Sequence, residues 1–106
     1  MMEICMVQGA TSPLREFTLL DGAGAPVQIG LGSVMVRITG LDRAYRSERA
    51  AVVVNPSEGR VRYDPAPEDT AEAGLNRLEF AVTYDDSGVE VFPVEGPIWL
   101  EVRPAA

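Results

Sequence analysis

Apolar and polar residues alternate with period two along most of the chain, the signature of strands that bury one face. In Val34–Thr39 the residues Val34, Val36 and Ile38 point one way and Met35, Arg37 and Thr39 the other. The segment 76–84 repeats the pattern: Leu78, Phe80, Val82 and Tyr84 form an inner face against Arg77, Glu79, Ala81 and Thr83. Between them, 59–63 places Val61 and Tyr63 inside and Arg60 and Arg62 outside. Further strands are predicted at 15–20, 27–29, 50–54, 89–92 and 97–102, giving about eight short strands, the number expected of a small sandwich. Gly, Pro, Asn and Asp cluster at 21–24, 55–59, 85–88 and 94–97, where they supply turns through positive φ, fixed φ or side-chain bonds to the backbone.

Two stretches depart from this rhythm. In 64–74 (Asp-Pro-Ala-Pro-Glu-Asp-Thr-Ala-Glu-Ala-Gly) prolines and acids precede a glycine, the start and stop signals of one or two helical turns. The second is the N-terminus, where Ile4, Cys5, Met6 and Val7 are apolar on both faces of any strand. Such a segment is buried on two sides or pairs with another chain. The expected organisation is a strand or assembly arm at 1–14 and a sandwich domain at 15–106.

At 106 residues the chain is the size of one domain. A composition of 46% hydrophobic and 24% charged residues belongs to folded proteins. Sixteen acidic residues outweigh nine basic ones, all arginine, for a net charge of -7. Phosphate backbones are repelled by that balance, so a nucleic-acid partner is not expected. Histidine and lysine do not occur, which removes imidazole-based triads, Schiff-base chemistry and lysine-dependent phosphate loops. Cys5 has no intrachain partner and reads as a buried small hydrophobe. No segment reads as a signal peptide or a membrane span, so the expected product is soluble, cytoplasmically made and without a membrane partner.

The order of motifs resembles the baseplate upper protein immunoglobulin-like domain family of tailed bacteriophages and prophages. The residues that carry the resemblance are Gly59, Val61 and Tyr63, then Asp69, Thr70, Ala73 and Gly74, then Glu79, Phe80 and Val82, and finally Gly88, Phe92 and Pro93. It spans about residues 15 to 103. The resemblance implies an all-β, immunoglobulin-like antiparallel β-sandwich of seven to eight strands with one short helical turn. It also implies a virion structural protein that attaches a spike, fibre or baseplate component, with capsid, tail, baseplate or fibre subunits and its own copies as partners. The family offers no catalytic residues. A head spike base, capsid decoration or neck protein is the alternative station, and a carbohydrate-binding sandwich the rival from another class.

Three features compete as sites. The carboxylates Asp64, Glu68, Asp69 and Glu72 lie in one loop and Asp85, Asp86 and Glu90 in another. Neither has the spacing of a calcium loop, so solvated turns and caps are expected, with no metal or other cofactor. Arg43, Arg46 and Arg49 surround Tyr45, a composition suited either to docking on an acidic subunit or to a solvated loop. Trp99 faces outward between the inward Ile98, Leu100 and Val102, so it either meets a partner or packs on the N-terminal segment. The candidate partner-binding set is Arg43, Tyr45, Arg46, Arg49, Trp99, Ile4 and Met6.

Overall fold

A computed structural model describes residues 2–11, 14–41, 46–93 and 98–105. These residues form a β-sandwich with one 3-10 turn. The strands are β1 (Met2–Val7), β2 (Arg15–Thr18), β3 (Ser33–Gly40), β4 (Arg46–Ala50), β5 (Val52–Asn55), β6 (Arg60–Tyr63), β7 (Gly74–Thr83), β8 (Val89–Phe92) and β9 (Ile98–Arg103), with the 3-10 turn at Pro67–Asp69. One sheet runs β1-β9-β7-β3-β4, with β8 paired to β7 alongside β9, and the other runs β2-β6-β5. The orders β9-β7-β3-β4 and β2-β6-β5 follow the immunoglobulin arrangement of two Greek-key sheets.

The core lies where the predicted inner faces meet. Val34, Val36, Ile38, Leu78, Phe80, Val82, Leu100 and Val102 from the larger sheet are buried against Phe17, Val61 and Tyr63 from the smaller one. The rings of Phe17 and Phe80 sit 5.3 Å apart, one from each sheet. Gly59 enters β6 with φ +66, and a Cβ there would stand 2.7 Å from Val27 O and 2.9 Å from Leu19 O. Only glycine lets these backbones approach so closely in that conformation.

Several expectations change. The N-terminal segment is a strand of the sandwich itself: β1 pairs in parallel with β9, so the sheet is mixed rather than purely antiparallel. Ile4 and Met6 face the core, while Glu3 and Cys5 face out. Cys5 is therefore exposed, not a buried hydrophobe. Residues 27–29 form no strand; Val27 and Ile29 are buried beside an isolated bridge between Leu20 and Pro26. Conversely, residues 46–49, expected within a loop, belong to strand β4 along β3, and the strand expected at 50–54 is divided, with Ala50 ending β4 and Val52–Asn55 forming β5. Ala81, placed on the outer face by its period, is nonetheless buried between its neighbours Met35 and Val91.

Candidate functional site

The best-formed polar constellation is built by three elements. β4 pairs with β3 so that Arg49 stands opposite Val36 and shares its inward face. β6 brings Tyr63 inward, and the 3-10 turn brings Asp69 beneath both. The Asp69 side chain is wholly excluded from solvent. Its Oδ1 accepts a hydrogen bond from Arg49 Nη1 at 2.7 Å. Its Oδ2 accepts from Arg49 Nη2 at 2.5 Å, from Tyr63 OH at 2.7 Å and from the Ala66 N–H at 3.0 Å. Arg49 also donates to the Asp64 carbonyl at 2.6 Å, and its guanidinium carbon lies 5.7 Å from the Tyr63 ring centroid.

The electrostatics follow from this closure. Burial pushes the Asp69 carboxyl upward, but the hydrogen bonds from Arg49, Ala66 and Tyr63 and the charge of Arg49 outweigh it and hold the group below the ordinary carboxylate range. Burial pushes the Tyr63 hydroxyl up, and its bond to Asp69 pushes it further. Hydrogen bonding to Asp69 raises Arg49. With both carboxylate oxygens engaged by internal donors, the cluster ties β4, β6 and the 3-10 turn together. Thr70 continues the tie: its Oγ1 donates to Ala10 O at 2.8 Å while its carbonyl accepts from the Gly9 N–H at 2.9 Å.

Arg49 is thus committed within the chain. Arg43 and Tyr45 lie outside the described residues, and Arg46 begins β4 opposite Thr39. Ile4 and Met6 are core residues, unavailable to a partner in this fold. Trp99 is half-buried on the outer face of β9, beside Glu3 of β1, with the Arg77 guanidinium 5.8 Å from its ring centroid. Among the described candidates, Ile4 and Met6 lie in the core, Arg49 in the buried cluster and Trp99 on the outer face of β9, so these four do not form one surface.

Three of the other candidate carboxylates serve separate local structures. Asp64 accepts from Arg62 Nε at 2.6 Å, Asp86 accepts from the Gly88 N–H at 2.9 Å within its turn, and Glu90 accepts from Tyr84 OH at 2.8 Å. Sequence reasoning missed one convergence, in which Glu3, Cys5 and Glu101 bring donor atoms within 4.8 Å of one another on the β1–β9 face. Arg103 Nη2 stands 3.8 Å from the Cys5 sulfur and Arg103 Nε 3.5 Å from Glu101, so a guanidinium already supplies positive charge there. Partial loss of solvent around the exposed sulfur and its hydrogen bond to Glu101 raise the thiol above its ordinary value, which keeps it in the less reactive protonated form.

No protein-family model matches the chain, and no curated protein matches it. Among the described residues, no helix is long and apolar enough to cross a membrane.

Proposed function

We propose that the chain is a non-enzymatic structural protein of a tailed-phage or phage-like particle, a rigid sandwich that joins copies of itself and a spike, fibre or baseplate component to the virion. One observation carries the reading: the motif residues quoted above fall in order along a single sandwich, and several of them occupy its constrained positions. Gly59 makes the close turn, Tyr63 and Asp69 form the buried tie, and Phe80, Val82 and Phe92 fill the core. Fold-determining residues speak to architecture more strongly than to station, so the virion assignment rests on the family resemblance as analogy. The reading is supported chemically by the absence of histidine and lysine from the sequence and by the engagement of its best-placed acid, Asp69, in internal bonds.

Mass spectrometry of purified particles, followed by cryo-EM, tests this. The expected result is the chain at a fixed, symmetric copy number. Particles lacking it overturn the reading, and specific retention on a glycan array would favour the carbohydrate-binding alternative. Reversal of Arg43 and Arg46 to glutamate, with Arg49 kept, then asks whether that segment docks, and reduced incorporation at unchanged thermal stability is the outcome expected of a docking segment.

A further inference from the structure

Among the described residues, five strands have a neighbour on one side only: β1, β4 and β8 in the larger sheet and β2 and β5 in the smaller. A strand edge offers backbone N–H and C=O groups that another strand can complete, and proteins commonly block this with charges, prolines or bulges. β1 carries Glu3, β2 carries Arg15 and Glu16, β4 carries Arg46, Glu48 and Arg49, and β8 carries Glu90. β5 reads Val52-Val53-Val54-Asn55 and follows Ala50 and Ala51 without a charge. Val52 and Val54 are 39% and 42% exposed, whereas Val53 packs against the core. The irregular register between Val53 and Asn55 offers partial protection, but no charge reinforces it.

We infer that β5 is a self-pairing edge. Two copies join antiparallel along it, about a two-fold axis near Val53, so that Val52 of each stands opposite Val54 of the other and the two smaller sheets become one. A second copy is the occupant that the strand's own self-complementarity fits, and its local neutrality permits the approach. At a net charge of -7 two copies repel over most approaches. Around β5, however, the acids are matched, Asp64 by Arg62 at 2.6 Å and Glu58 by Arg60 at 3.9 Å, and the strand is neutral. A two-fold contact must be self-complementary, and β-branched side chains facing one another across strands meet that condition. This deepens the self-assembly part of the proposed function, yet it is tested without particles.

Sedimentation equilibrium of the full chain from micromolar to about 1 mM covers the range of weak self-association. The mass is expected to rise from 11.4 kDa towards twice that value. Val54→Lys should weaken the dimer by about tenfold or more at an unchanged melting curve, and Val91→Lys on the β8 edge should leave it intact. In the unaltered chain, amide exchange at residues 52–55 should slow as concentration rises, a readout that stands even if Val54→Lys disturbs folding. A monomer throughout, exchange independent of concentration, or a dimer broken by Val91→Lys but not by Val54→Lys would overturn the inference. A dimer with these properties in a chain missing from particles would uphold the edge and refute the virion reading; incorporation of a strictly monomeric chain would do the reverse.

Discussion

Asp64 and Asp69 flank the same short run of chain, and each accepts a close hydrogen bond from an arginine, at 2.6 Å from Arg62 Nε and 2.7 Å from Arg49 Nη1. Their surroundings differ. The Asp64 side chain is 42% exposed and its partner 34%, whereas Asp69 has no exposed side-chain surface. In water a charged pair exchanges one set of good hydrogen bonds for another, and screening removes much of its attraction. In the interior each charge has lost its solvent, so removing one partner leaves the other stranded. Two pairs with nearly the same distances therefore have different consequences, and burial sets them apart.

The largest expected effect comes from breaking the buried member. Asp69→Ala leaves Arg49, the Tyr63 hydroxyl and the Ala66 N–H without their common acceptor, and should cost about 3 to 5 kcal/mol in chemical denaturation. Asp69→Asn keeps the shape but loses the charge, so it should retain part of that loss. A cost below about 1 kcal/mol for Asp69→Ala, within the range of exposed pairs, would remove the contrast between the two aspartates.

Acid tests the same contrast without mutation. Both carboxyls are held below their ordinary 3.8, Asp69 although its burial favours protonation and Asp64 chiefly by its bond to Arg62. A carboxylate with a depressed folded-state value contributes stability that is complete above its unfolded value and lost as pH falls through the folded one. The chain should therefore keep its full stability down to about pH 5 and lose it progressively below about pH 4. Asp69→Asn should flatten that acid limb, and Asp64→Asn should leave most of it. An identical acid limb in Asp69→Asn would show that other carboxyls drive acid unfolding.

The two aspartates also differ in how readily the sequence disclosed them. Period two marked the inner faces of β3, β6, β7 and β9 because each has apolar residues on one side and polar ones on the other. β4 carries no such stripe: its inward positions are Ser47 and Arg49, paired with Ile38 and Val36, so an inward-facing strand reads as a polar loop. With 46–49 reading as a loop, the sequence offers no sign that Arg49 meets Asp69, and the acids of 64–74 look alike. The signal that separated them was the motif order, which singles out Asp69 and Thr70 but passes over Glu68 and Glu72. β1 was obscured differently. Counting Cys5 as inward hid the alternation of outward Glu3 and Cys5 with inward Ile4 and Met6, and a thiol is compatible with either face.

A smaller effect follows from Tyr63→Phe, which removes one donor to Asp69 while the Arg49 fork and the Ala66 N–H remain. The expected loss is about 1.5 to 3 kcal/mol, the range for a hydrogen bond to a charged group. Because the folded state raises the tyrosine above its ordinary 10.0, its contribution is complete below that pH and is lost as pH rises towards the folded value. Tyr63→Phe should accordingly weaken the alkaline limb of stability. Tyr84, pushed up to about 12 by burial and by Glu90, supplies a control, since Tyr84→Phe should leave the Asp69 acid limb untouched.

The smallest effect is expected at the exposed pair, and it gives the comparison its lower bound. Arg62 lies on the outer side of β6 and grips Asp64 through two nitrogens, Nε at 2.6 Å and Nη2 at 3.0 Å. By geometry alone this fork rivals the one on Asp69. Yet in Arg62→Ala the Asp64 carboxylate is returned to water, which replaces the lost donors, and the Asp64 carbonyl still accepts from Arg49. No buried group is left without a partner. The unfolding midpoint of Arg62→Ala should therefore coincide with that of the parent within the scatter of repeat titrations, and added salt should shift both alike. A clear destabilisation, relieved by replacing Asp64 as well, would mean that the fork organises the entry to the 3-10 turn and that distance, more than burial, sets the weight of a pair in this sandwich.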